Sequence, residues 1–411
     1  MKILFFAEAV SLAHIGRPLL LAQWAHENGI IVHFASSIKG LQKTNANAFG
    51  FTTHPLHTID ENLFYDRVNK GKFFYQKEEL KNYIKEEQAL ILKVKPDLIV
   101  SDFRLTVSIS AELTGKPHLN LSNSYWSPNY SCKFPAPEIG LFKLLPRGIT
   151  DIIFNYIRPF AFKFFAKELN QVRESFGLKK KKDFRELYTA GTYTAYMDLP
   201  NFINIDQLPE NHFFLGPIIW SPKTSRKSYS LTEKNNVYIS MGNTGKNDLL
   251  LQIIQSVLKN NLNIIISGIS TKEKEFLLKT IPELKGKSII EPLIQAEEIL
   301  PYCKLTICHG GSGTVYQSIE NGVPVLCFPK NPDQGLVSMA VEKKNIGRFL
   351  TKKSINKNLI NAMIKECISN DLINQNTKSM QKGISNWNSK NRWVMFLNKF
   401  KTARKSIKVI A

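Results

Sequence analysis

The sequence predicts an α/β protein of two doubly wound, Rossmann-like domains in series, and three observations carry that prediction. The chain has 411 residues, beyond the size at which one hydrophobic core keeps growing, so two domains of roughly 200 residues are expected. Short apolar runs alternate with helical patterns in both halves, the rhythm of a parallel sheet with crossover helices. Between the halves, Asp198 to Asn236 carries Pro200, Pro209, Gly216, Pro217 and Pro222 and then a polar stretch rich in Ser, Thr and Lys, the composition of a linker. The division that follows is a first domain over 1–215, a linker over 216–236, a second domain over 237–385 and a terminal segment over 386–411.

Taken in order, Ile3 to Ala7, Ile30 to Ala35, Asp97 to Phe103 and His118 to Leu121 read as strands of the first domain. Val237 to Met241, Leu262 to Ser267, Ser288 to Leu293, Leu305 to Cys308 and Val323 to Phe328 read as strands of the second. In open sheets of this kind ligands bind beyond the carboxyl ends of the strands, so two facing domains create a cleft lined by strand-to-helix loops. Functional residues are therefore expected just after strands.

A composition of 43% hydrophobic and 22% charged residues excludes a disordered or low-complexity chain. No run is long enough to cross a bilayer as a helix. Glu8 interrupts the apolar start Ile3 to Ala7, which favours a buried first strand over a secretory signal. The five cysteines, Cys132, Cys303, Cys308, Cys327 and Cys367, show no CxxC spacing and read as reduced core residues of a cytoplasmic protein.

The formal net charge of +21 calls for an acidic partner: nucleotide phosphates, an anionic membrane or nucleic acid. Nucleic acid is set aside, because no helix-turn-helix, zinc or RNA-binding signature is present. From Lys133 to Arg185 there are twelve basic and five acidic residues among Phe142, Phe154, Phe160, Phe162, Phe164 and Phe165.

The run Leu305 to Cys308 passes into His309-Gly310-Gly311-Ser312-Gly313-Thr314, after which Val315 and Ile319 begin a helical pattern. Glycines allow a tight turn with exposed N–H groups, and the helix N-terminus adds partial positive charge, a combination that binds phosphate. Gly322-Val323-Pro324 closes the helix, and Asp333-Gln334 follows the next strand. In order and spacing this set resembles the donor-binding signature of the UDP-glycosyltransferase superfamily, most closely its bacterial macrolide-type members.

That resemblance implies the GT-B fold, two Rossmann-like domains facing across a cleft with a C-terminal helix crossing back to the first domain. Trp393, Phe396 and Phe400, at helical spacing, are similar to that helix. It also implies that His309, Gly311, Ser312, Gly313 and Thr314 contact a donor diphosphate, and that Asp333 and Gln334 bond the sugar hydroxyls. Gly242, Asn243 and Thr244, within Ser240 to Gly245, are similar to a second phosphate-side turn of the family. Gln317 stands where members often place a Glu on the ribose, and Glu291 to Gln295 offers no aromatic to stack on the base, so uridine and thymidine donors both remain open.

Transfer of a sugar to a hydroxyl needs a base for the acceptor proton. His14, after the first strand, resembles the family's loop histidine, although it lies four residues before Pro18 where the commoner spacing is three. Asp102, ending a later strand, resembles the carboxylate that orients such a base. The expectation is an inverting displacement without a metal, with no cofactor besides the nucleotide sugar. Tyr125, Trp126 and the stretch Leu141 to Phe165 are expected on the acceptor side, which implies an apolar or lipid-like acceptor. Lys143, Arg147, Arg158, Lys163 and Lys167 between those aromatics also fit a helix on an anionic membrane, which would place the enzyme at the inner face. A GT-B epimerase and a non-catalytic partner of another transferase are the alternatives.

Overall fold

The computed structural model describes residues 1–136, 142, 145–221, 229, 231–241, 247–351 and 355–410. The first sheet contains β1 (Lys2–Ala7), β2 (Ile31–Ser36), β3 (Thr52–Pro55), β4 (Leu98–Asp102), β5 (His118–Ser122), β6 (Tyr193–Tyr196) and β7 (His212–Phe214). Its order is β3-β2-β1-β4-β5-β6-β7 and its pairings are parallel. The second contains β8 (Asn236–Ser240), β9 (Asn263–Ser267), β10 (Ser288–Glu291), β11 (Cys303–Cys308), β12 (Val325–Cys327) and β13 (Gly347–Phe349), in the order β10-β9-β8-β11-β12-β13 and again parallel. Both sheets reverse direction beside their first strand, between β1 and β4 and between β8 and β11. Those two reversals are the places where doubly wound sheets bind ligands.

The strand β1 shows why the runs are continuously apolar rather than alternating. Ile3, Phe5 and Ala7 pack with Leu19, Leu21 and Ala22 of the helix Leu12–Glu27, while Leu4 and Phe6 face Leu90, Ile91 and Val94 of the helix Lys77–Val94. A parallel strand covered by helices on both faces must be apolar at every position. The strands that sequence reading missed, β3, β6, β7 and β13, are three or four residues long, and all four lie at or next to a sheet edge.

Beyond the second sheet, the helix Asp371–Trp387 ends at Asn388, whose φ of 48° turns the chain. The helix Ser389–Ile410 then crosses back to the first domain, as the family resemblance implied. Trp393 is fully buried and donates its indole N–H to the Leu21 carbonyl at 3.0 Å, and Phe396 and Phe400 pack on Tyr193. Four of the five free cysteines are buried.

Candidate active site

At the first reversal, β1 and β4 pair with Ala7 opposite Asp102, so the chain leaving β1 and the last residue of β4 open into the same crevice. Ser11 precedes the helix Leu12–Glu27, which places His14 in its first turn. The His14 Nδ1 lies 2.8 Å from Asp102 Oδ1, which joins the two residues expected to act together. Sequence reading missed Arg17, one turn further on. Its Nε reaches Asp102 Oδ2 at 3.0 Å, its second terminal nitrogen reaches Oδ1 at 3.0 Å, and that same nitrogen is 2.9 Å from His14 Nδ1. A cation inside an otherwise apolar run, Ile15 to Leu21, was the available signal.

With Nδ1–H donated to Asp102, the Nε2 lone pair of His14 is left to accept a proton. Burial lowers the His14 pKa and Arg17 adds to the effect, while Asp102 opposes both. The imidazole is therefore neutral near neutral pH, the state a general base needs. His14 also stacks on Phe103 at 4.5 Å. Phe103 has a φ of 59°, a left-handed conformation that costs a bulky residue about 1–3 kcal/mol and is held by its surroundings.

Those surroundings are aromatic. Phe103 contacts Phe64, Phe74 and Tyr188, and Tyr188 stacks on Trp126 at 5.0 Å, which continues to Phe134, Phe162 and Phe184. Trp126 was expected on the acceptor side and is half-buried in this wall, whereas Tyr125 is buried beneath it. The run Phe73-Phe74-Tyr75 was the overlooked sign of it.

A buried polar chain leads from the dyad to the second domain. Arg17 donates to Asn123 Oδ1 at 3.1 Å, Asn123 donates to Asp198 at 3.3 Å, and Asp198 accepts from Tyr316 Oη at 3.0 Å. Tyr316 belongs to the helix Ser312–Glu320, which starts at the glycine-rich turn. His14 and that helix are thus linked through Arg17, Asn123 and Asp198.

At the second reversal, β11 ends at Cys308 and Gly310 turns the chain with a φ of 79°. A Cβ there would collide with Ser338 Oγ and the Gln334 carbonyl, so only glycine fits. The first intrahelical bond is Val315 N to Gly311 O at 3.0 Å. The preceding N–H groups of Ser312, Gly313 and Thr314 point out of the helix end with its partial positive charge. A Cβ on Gly311 or Gly313 would meet nothing within 4 Å, so the turn is open on the cleft side. His309 donates Nδ1–H to the Phe328 carbonyl at 2.8 Å, and its buried Nε2 has no hydrogen-bond partner among the described residues. An open turn at a helix N-terminus has the geometry and partial positive charge that suit an anion.

Around it, Asn331 caps the helix Pro332–Lys343, which frees Asp333 from the capping role. The Asp333 Oδ1 is buried with no hydrogen-bond partner among the described residues, and burial raises the carboxyl pKa to about 6 against the opposing pull of Trp126 and Arg17. Gln334 accepts from Lys330 N through Oε1 at 2.8 Å. Gln317 donates to Ser221 Oγ at 2.8 Å and so braces the linker. Gly242, Asn243 and Thr244 lie outside the described residues, as do Leu141 and Lys143.

The model of the erythromycin biosynthesis protein CIII-like C-terminal domain matches residues 262–386. The PGL/p-HBAD biosynthesis glycosyltransferase of Mycobacterium tuberculosis (strain ATCC 25177 / H37Ra) is 30% identical over 372 residues, 90% of this chain and 85% of that protein. The PGL/p-HBAD biosynthesis rhamnosyltransferase of Mycobacterium bovis (strain BCG / Pasteur 1173P2) is 30% identical over 372 residues, 90% of this chain and 81% of that protein. Among solved structures, glycosyltransferase VinC in complex with DTDP aligns with a TM-score of 0.70 at 18% identity, over 97% of this chain and 99% of that one. Two facing Rossmann-like sheets with these relatives define a nucleotide-sugar-dependent glycosyltransferase of GT-B fold. The chain belongs to the UDP-glycosyltransferase superfamily.

Proposed function

We propose that this enzyme moves a sugar from a dTDP- or UDP-linked donor to a hydroxyl of an apolar, lipid-like acceptor, by one displacement that inverts the anomeric carbon without a metal. The observation that carries the proposal is the His14–Asp102 contact of 2.8 Å set against the aromatic wall. His14 Nε2 takes the acceptor proton as the acceptor oxygen attacks the anomeric carbon. The bond from that carbon to the diphosphate oxygen breaks with its electron pair going to the diphosphate. The N–H groups of Ser312, Gly313 and Thr314, with the helix N-terminus, meet the charge released there, which is the part a divalent cation plays elsewhere.

Asp333 and Gln334 are assigned to the sugar hydroxyls, since Asp333 Oδ1 has no hydrogen-bond partner among the described residues and the adjacent Gln334 side chain can both donate and accept. Trp126, at the junction of Asp333 and the wall, is assigned to the acceptor, with Tyr125 supporting it from below. Gly242, Asn243 and Thr244 remain proposed phosphate contacts, and Gln317 a ribose neighbour through the linker. The intact dyad supports catalysis over a role as a non-catalytic partner, and the apolar wall supports an acceptor over an epimerase that needs none. Five free thiols support work in the reducing cytoplasm.

The test is a thermal-shift panel of nucleoside diphosphates and sugar nucleotides, followed by transfer to apolar alcohols and phenols with the best donor. His14→Ala is expected to lose about 10²- to 10⁴-fold in turnover while keeping its nucleotide-induced shift. An alanine variant with full turnover would remove His14 from the mechanism.

A further inference from the structure

The helix Arg147–Phe165, on the outside of the first domain, is built inside out. Its protein-facing side carries polar residues beside Phe154, Phe162 and Phe165. Asn155 pairs with both the N–H and the carbonyl of Phe134 at 2.8 Å, Asp151 accepts from Ala136 N at 2.8 Å, and Arg158 donates to the Cys132 carbonyl at 3.0 Å while lying over the Phe134 ring. Its solvent side carries Ile149, Ile152, Ile153, Tyr156, Ile157, Phe160 and Phe164, with Ile152 70%, Tyr156 81% and Phe160 68% exposed. At 100° per residue these positions form one continuous stripe. Helices of water-soluble surfaces show the opposite arrangement, and a contiguous apolar stripe of this length marks an interaction site.

Charge decides what covers it. Lys163 lies on the stripe near its C-terminal end, Lys167 follows one turn later, and both are exposed. Lys182 is exposed too, two residues before Phe184, whose ring lies 6.4 Å from Phe165 on this helix. The molecule as a whole carries +21. A second copy of the chain would bury the isoleucines but bring like charges together. An anionic bilayer satisfies both, taking the aliphatic and aromatic side chains into the acyl boundary and the lysines at the headgroups.

We infer that the helix Arg147–Phe165 lies in the surface of an anionic membrane and docks the enzyme there. This goes beyond the proposed transfer and does not rest on it. The same helix turns Phe162 inward, where its ring lies 6.2 Å from Trp126, so docking sets the aromatic wall against the bilayer.

The test is co-sedimentation of the full chain with phosphatidylcholine vesicles, with and without phosphatidylglycerol, at low and high salt. Pelleting with the anionic vesicles that falls with salt is expected. Ile152→Glu with Phe160→Glu should lower pelleting by about tenfold or more, and Lys163→Glu with Lys167→Glu by about tenfold with anionic vesicles only. The milder Tyr156→Ser and Phe160→Ser pair covers the case in which the acidic variant fails to fold, and retained nucleotide-induced thermal shift shows that each variant is folded. Absence of pelleting by the wild type, or unchanged pelleting of the folded stripe variants, overturns the inference. So does a dimer in light scattering that the stripe variants dissociate while vesicles are never bound.

Discussion

Arg17 holds both oxygens of Asp102 at 3.0 Å and still reaches His14 Nδ1 at 2.9 Å. The Asp102 carboxylate is therefore shared between the His14 imidazole and a permanent cation. Such a cation disfavours the imidazolium, so it favours neutral His14, the form the proposed base role requires.

Removing that cation has a defined sign. The His14 pKa is lowered first by burial and then by Arg17, against Asp102. In Arg17→Met the burial remains, the opposing cation goes and the carboxylate acts unshared, so the pKa rises. Activity carried by neutral His14 falls as pH drops through that pKa. The acid limb of kcat/KM is expected at higher pH in Arg17→Met than in the wild type, with turnover recovering on the alkaline side. A limb that stays in place would make Arg17 merely structural.

Donor binding should take up a proton at His309. Its Nδ1–H is committed to the Phe328 carbonyl, so Nε2 can donate to a phosphate oxygen only as imidazolium. Burial lowers its pKa in the free protein, and a bound diphosphate raises it. Affinity for the nucleoside diphosphate is expected to strengthen as pH falls below neutral, with proton uptake seen by calorimetry in buffers of different ionisation enthalpy. His309→Ala should abolish the uptake.

Tyr316→Phe deletes the hydroxyl that donates to Asp198 at 3.0 Å and accepts from Leu199 N at 3.1 Å. Leaving buried groups unsatisfied costs about 1–3 kcal/mol, which denaturant titration should read as lost stability. Because the chain from Asp198 ends at Arg17, kcat is expected to fall with a smaller change in nucleotide affinity.

Gly310→Ala meets both a collision with Ser338 Oγ and a φ of 79°. Left-handed backbone alone costs an alanine about 1–2 kcal/mol. Adding Ser338→Ala relieves the side-chain clash but neither the φ nor the contact with the Gln334 carbonyl. Donor-induced thermal shift is expected to be lost in the single variant and only partly regained in the double one.

Much of the site was legible because its signals are local. His309 to Thr314 is a turn-and-helix-start written in consecutive residues, and Asp333-Gln334 follows the next strand at a short distance. The chain order of strands was legible for the same reason where both faces are covered, as in β1 and β4. The short strands β3, β6, β7 and β13 carry too few apolar residues to declare themselves. Gln317 was read for a ribose, yet the structure turns its amide to Ser221 of the linker, a contact 96 residues away in the chain that no local pattern marks.

By itself the sequence determined the α/β rhythm, the glycine-rich turn, a histidine shortly after the first strand and an aspartate ending a later one, since backbone conformation and burial period depend on neighbours in the chain. Tertiary structure alone decided that β1 and β4 lie side by side, which brings His14 and Asp102 together across 88 positions. It also decided that Arg17 shares that carboxylate, that scattered aromatics close into one wall, and that the helix Arg147–Phe165 turns its apolar side outward. Those outcomes depend on sheet order and on which face of a helix the rest of the molecule covers, and both are set by packing between segments far apart in the chain.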